Sequence, residues 1–156
     1  MTRQLVLGML IVATTIACGG SSAAAPTPPP AQASITLTVS PNPATSTVCS
    51  PACVATNGNA YQFRAAGTLT IQETGGISVN IDSIVSGSLT YTAADVTQRS
   101  GTSRVAAKGS LLFPLAFLYG LDGNPNASRS VVFPIVVSFT DDRGIHGTAA
   151  VQWAAN

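Results

Sequence analysis

Surface chemistry needs acids, bases, nucleophiles or metal ligands brought together, and this chain is poor in all but hydroxyls. His146 is the only histidine, so a Ser, His, Asp triad would have to be built on it. Asp141 and Asp142 precede it in a turn-like run, Asp141-Asp142-Arg143-Gly144, and the expected partnership is Asp142 with His146. The two aspartates are adjacent on a turn, where their side chains diverge and usually serve solvation and turn formation. No serine sits in a Gly-x-Ser-x-Gly elbow, and a surface histidine beside a turn is the plainer reading. Catalytic residues are therefore set at none, with His146 and Asp142 kept as the alternative of a small envelope enzyme or accessory subunit.

Other constellations are weaker. Asp122 and Asn124, together with Asp141 and Asp142, could offer oxygen ligands to calcium, but dense Asp-x-Asp spacing is missing. No metal site and no cofactor is expected. Arg99, Arg104 and Lys108 are close in sequence and could face a lipid headgroup or an anionic polysaccharide; a solvated strand edge that resists aggregation is the preferred explanation. Trp153, Tyr61, Tyr91 and Tyr119 are the stacking residues on which a carbohydrate-binding module would depend, and alternation along the chain turns most of them inward. No Gly-rich phosphate loop opens a helix, so nucleotide binding has no support.

Composition narrows the classes further. The chain has 156 residues, 46% hydrophobic and only 8% charged, where about 25% charged is ordinary. Seven Lys and Arg against six Asp and Glu make no basic stripe for nucleic acid, and no charge-rich disorder or coiled coil. The mean hydropathy of +0.36 comes from dispersed apolar residues, with no run of about eighteen that would span a bilayer.

The amino-terminal segment carries an address. Arg3 supplies a positive start, Leu5 to Ala13 an apolar run, and Thr14, Thr15, Ile16 and Ala17 lead into Cys18, the order of a secretory signal. Cys18 directly after Ala17, followed by Gly19, Gly20, Ser21 and Ser22, resembles the lipobox of bacterial lipoproteins, although Thr15 stands where that family prefers Leu. The resemblance implies a signal peptide over residues 1–17, diacylglyceride on the Cys18 thiol, and membrane attachment through that lipid. Gly19 in place of Asp implies delivery to the outer membrane or cell surface. Two or three acyl chains give stable anchoring where one is marginal.

Residues 18–33 are then expected to be the lipidated cysteine and a tether. Ser21, Ser22, several alanines and Pro26, Pro28, Pro29 and Pro30 cannot build a core and favour extended polyproline conformation at about 3.1 Å per residue. With Cys18 assigned to lipid, the odd count of three cysteines becomes an even pair, Cys49 and Cys53, in an oxidising compartment. A disulfide around Ser50, Pro51 and Ala52 is expected, pinning a Pro-rich loop. A redox pair would have two intervening residues beside a helix, and a zinc site would need more ligands.

Residues 34–156 read as one domain with period-two alternation. Ile35, Leu37 and Val39 mark a strand; Tyr61 to Ile71 holds one parity with Gly67 as an expected bend or bulge; Gly75-Gly76 is read as a hairpin turn into Ile77, Val79 and Ile81. Leu89 and Tyr91 mark another strand, and Ala93 to Ser103 reads as loop. Leu111 to Tyr119 has apolar residues on both faces and is expected to be central. Val131 to Phe139 and Ile145 to Trp153 flank the Asp141 to Gly144 turn, with Pro134 signalling a local edge or bulge. About seven or eight strands and no 3.6-residue periodicity predict an all-β antiparallel sandwich.

The closing hairpin and the Gly67 to Ile84 block are similar to bacterial immunoglobulin-like and fibronectin type III-like modules. That resemblance implies fold rather than activity, and the Cys, Trp, Cys spacing of antibody domains is missing. The expected function is a lipid-anchored cell-envelope protein with a non-catalytic binding or structural domain, its partner an envelope protein or glycan.

Overall fold

The structure is a computed structural model that describes residues 31–156. The expected signal segment, the lipid attachment point at Cys18 and the tether up to residue 30 lie outside the described residues. Nine strands and one helix follow in order: β1 (Ile35–Ser40), β2 (Thr47–Val54), β3 (Ala60–Glu73), β4 (Val79–Ser86), β5 (Leu89–Thr92), α1 (Ala93–Ser100), β6 (Arg104–Val105), β7 (Ser110–Leu121), β8 (Val131–Asp141) and β9 (His146–Ala155).

These strands make an all-β sandwich of two antiparallel sheets. In one sheet β3 is central: β7 pairs along it from Tyr61 to Gln72, while β1 takes Thr68 to Glu73 and β2 takes Ala60 to Arg64. The other sheet runs β5-β4-β8-β9, with β6 beside the start of β4. Alternation does the sorting. Phe113, Leu115 and Phe117 on β7, Leu69 and Ile71 on β3, and Ile135 and Val137 on β8 are all buried. The residues between them on β3 and β9 are mostly hydroxyl-bearing or polar and face outward, as a half-buried strand requires.

At the centre Trp153 is fully buried, its Nε1 donating to the Pro41 carbonyl at 2.8 Å. Phe117 packs edge-on against Phe133 and Trp153 with centroids at 4.8 and 5.5 Å. Such pairs add roughly 0.5–1.5 kcal/mol each beyond area burial.

Several expectations are corrected. Ala93 to Ser103 is not a loop throughout, since α1 occupies its first part. Thr92 and Asp95 form a reciprocal capping box and Gly101 closes the helix at φ 80°, local signals that need no long periodicity. Only Val96 of this helix is buried, so eight residues could not display an amphipathic stripe. The Gly75-Gly76 turn does not make a hairpin. It crosses between sheets, because β3 pairs with β1, β2 and β7, and β4 with β5, β6 and β8. Gly67 is not a bulge either: it keeps register opposite Leu115 and is small because Trp153 lies against it.

The Leu111 to Tyr119 strand is not central, since β7 pairs with β3 alone. Its outward residues are apolar although exposed, Leu112 at 59%. Pro134 fits the expected local edge: it sits opposite Gln152 on β9, beyond the last β4 partner at Val136, so its missing N–H interrupts no β4 ladder.

Candidate functional site

The lone histidine is positioned by three neighbouring strands. β4 carries a bulge between Ile81 and Ser83, which pair with Phe139 and Ser138, leaving Asp82 as the extra residue. Bulges re-aim side chains in this way. Asp82 turns toward Thr140 on β8, and His146 pairs with Thr140 from β9. Thr140 Oγ1 donates to Asp82 Oδ2 at 2.7 Å and lies 2.8 Å from His146 Nδ1. Asp82 Oδ2 is 3.9 Å from that nitrogen.

Proton bookkeeping defines what this trio can do. A threonine hydroxyl has one proton, committed here to the carboxylate, so the network assigns the hydrogen between Thr140 and His146 to Nδ1. The hydroxyl thus relays between carboxylate and imidazole and is not activated by the histidine, as a nucleophile would be. The imidazole side chain is 81% exposed, so water screens the pair strongly. Two shallow depressions flank it. One of about 330 Å³ is lined by Asp82, Ser138, Phe139, His146 and Thr148, the other of about 260 Å³ by Gln32, Ala33, Phe139, Ile145 and His146.

The expected Asp142–His146 pair is corrected. Asp142 instead takes a bidentate contact from Arg104, at 2.9 and 2.7 Å, because its turn faces the strand that carries Arg104 across β4. Asp141 diverges from it, as adjacent turn residues do, and is buried. Its carboxylate accepts the amides of Arg143 and Ile145, both at 2.9 Å, and the Arg143 guanidinium at 2.8 Å. Donation from the Ile145 amide, against the opposing effect of desolvation and with help from Arg143, holds its carboxyl below the usual carboxylate range.

Asp122 and Asn124 do not meet Asp141 and Asp142. Asp122 follows β7 beside Ala60 at the start of β3, whereas Asp141 ends β8 beside Val79, at the other end of the sandwich. Among the described residues no three His, Cys, Asp or Glu side chains are grouped to hold a metal ion. The three clustered cations go to separate partners: Arg99 stacks over Tyr91 at 4.9 Å, Arg104 holds Asp142, and Lys108 Nζ donates to the Thr74 carbonyl.

Of the aromatic residues proposed for stacking, Trp153, Tyr119 and Tyr91 are taken up by the core, while Tyr61 is half-buried outside it. Trp153 and Tyr119 are buried, Tyr119 with its hydroxyl on the Arg129 carbonyl at 2.8 Å and on Ser46 Oγ. Tyr91 packs against Phe113 beneath Arg99.

Cys49 and Cys53 are bonded, with Cα atoms 5.4 Å apart. They lie within strand β2 rather than in a free loop. β2 pairs regularly at Val48 with Phe63 and again at Cys53 with Tyr61, so the bridge closes the residues that the partner strand cannot match.

The residue that sequence reasoning passed over is Glu73. It continues the inward parity of Leu69 and Ile71 and is fully buried. Its carboxylate accepts the amides of Ser34 at 3.1 Å, Gly75 at 2.7 Å, Gly76 at 2.8 Å and Lys108 at 2.9 Å. Burial pushes its pKa up, and the four amides outweigh burial to bring it to about 2. The signal was present: an acid at an inward strand position two residues before Gly75-Gly76, where turn amides need an acceptor.

Comparison of the chain with family models, curated proteins and solved structures found no match.

Proposed function

We propose that this chain is a lipid-anchored cell-envelope protein whose sandwich is a non-catalytic binding or structural domain. The observation that carries the reading is the pairing of Cys49 with Cys53, which leaves Cys18 as the odd cysteine of three. Cys18 stands at the end of an apolar run, in the position that a lipobox would acylate, and a disulfide on an exposed strand suits an oxidising compartment. Outer-membrane or cell-surface delivery follows from Gly19 on the same reading.

The finer fold assignment, immunoglobulin-like and fibronectin type III-like, is supported by strand order. In chain order, β1, β3 and β7 stand as A, B and E, and β5, β4, β8 and β9 as C′, C, F and G, with C′ on the sheet of C, F and G.

Binding through a face, rather than by strand addition, is supported by the treatment of the edges. The disulfide-closed bulge interrupts β2, Pro114 lies in β7 while α1 packs against that strand, and the Ala44 and Ser46 amides cover the end of β9. Such devices oppose edge pairing. The outward row of β8 is apolar and open, with Val132 at 54% and Val136 at 38% exposure, and an envelope protein or glycan is the partner class we assign.

Metabolic labelling with palmitate tests the anchor. The wild-type chain expressed in a bacterial host is expected to incorporate label and Cys18→Ala to lose it; label retained by the variant overturns the reading.

A further inference from the structure

Four residues before the first strand are fastened to the sandwich by contacts beyond the paired strands, of which one, Ser34 with Thr74, carries the β1–β3 register one step further. Arg143 Nη1 donates to the Ala31 carbonyl at 3.0 Å. The Ser34 amide donates to Glu73 Oε1 at 3.1 Å, and the Ser34 carbonyl accepts from the Thr74 amide at 2.8 Å. Between them the Gln32 carbonyl lies so close to Gly75 that a Cβ there would stand 1.6 Å from its oxygen.

We propose that residues 31–34 form a strap, docked on the β3–β4 and β8–β9 turns as a unit that can release while both sheets stay intact. The strap has two consequences. Gln32 and Ala33 wall one side of the 260 Å³ groove whose far side is Ile145, His146 and Gly147, with the nearly buried ring of Phe139 between them, so release opens an apolar surface. Ala31 also lies at the Glu73 end of the domain, and Cys53, opposite Tyr61 on β3, is twelve residues or about 40 Å from Glu73 at the other end.

The physical case rests on what each contact involves. Glu73 joins the strap, the β3–β4 turn and the Lys108 turn through amides of all three, so the strap is coupled to the turns. Only the Ser34–Thr74 bond continues a strand ladder, one step past Ile35–Glu73 at its fraying end, and local opening follows such low-contact segments. Gly75 is the selective handle, because its φ lies outside the left-handed region that would penalise alanine, and the three atoms nearest the added methyl all belong to Gln32 and Ser34 of the strap.

Hydrogen exchange on the full exported chain tests this inference, which is independent of lipid at Cys18. In Gly75→Ala the amides of Ser34 and Thr74 are expected to exchange at least about tenfold faster, with β8 and β9 protected as in wild type. Binding of anilinonaphthalene sulfonate is expected to rise as the groove opens. Arg143→Gln, which keeps Gly75, is expected to loosen the Ala31 end in the same way, read as faster proteolysis ahead of Ser34. Unchanged exchange at Ser34 and Thr74, or acceleration spread evenly through β8 and β9, overturns the strap.

Discussion

The indole of Trp153 lies against Gly67 so closely that a Cβ on the glycine would sit 2.9 Å from Cζ2 and 3.1 Å from the Ser40 carbonyl oxygen. One sheet supplies the ring and the other the gap, so this contact sets how near the two sheets approach at the centre of the core. Gly67→Ala is expected to cost about 1–3 kcal/mol, as overpacking does. Urea unfolding followed by Trp153 fluorescence reads it. An unchanged midpoint would show that the sheets can spread without loss.

Glu73 predicts acid sensitivity. Its folded pKa of about 2 lies below the ordinary value of 4.5, so its contribution is complete above the unfolded value and disappears as pH falls toward 2. The shift corresponds to on the order of 3 kcal/mol. Chemical unfolding at a series of pH values is expected to show stability falling below about pH 4.5. Glu73→Gln should be less stable at neutral pH and should show a shallower acid limb.

The helix depends on its caps. Thr92 accepts from the Asp95 amide at 3.3 Å while Asp95 accepts from the Thr92 amide at 2.8 Å. Thr92→Ala is expected to cost about 1 kcal/mol and to raise hydrogen exchange in residues 93–100. Loss confined to the helix, with Trp153 fluorescence unchanged, is the expected pattern.

The disulfide closes a very short loop, for which chain entropy gives only about 2 kcal/mol. A Cys49→Ser, Cys53→Ser double variant is expected to stay folded, with its unfolding midpoint lowered modestly. Exchange should rise at β2 and not at β8. Complete unfolding would show that β2 holds the domain together.

The Arg104–Asp142 pair joins strand β6 to the β8–β9 turn but is exposed, with side chains 49% and 43% accessible. Asp142→Asn is therefore expected to cost less than about 1 kcal/mol, diminishing further in high salt. The Thr140–His146 contact should persist, checked by the imidazole NMR signals, because Asp142 does not hold that ring.

The longer strands, their inward faces and the Asp141 to Gly144 turn were legible in the order of residues, since alternation and turn chemistry are local, whereas β2 was read as a loop and β6 was not seen. The sandwich class followed from the same patterns. The helix was legible only through Thr92, Asp95 and Gly101, because one buried valine makes no stripe. Of the candidate site, His146 was visible as the lone imidazole, but its partner was assigned to the wrong aspartate. Asp142 is nearer in sequence, and Asp82 arrives only through a bulge in a strand from another part of the chain.

That difference has a general physical cause. Whether a residue faces inward depends on its immediate neighbours along the strand, so Trp153 and Phe139 could be placed in the core before any fold was known. Which strands become neighbours depends on packing between segments far apart in the chain. Pairing alone makes β7 an edge, turns Gly75-Gly76 into a crossing between sheets, and brings Ser34 and Lys108 to one carboxylate. Glu73 joins the two levels: parity points it inward, and three converging turns supply the amides that let a charge stay there.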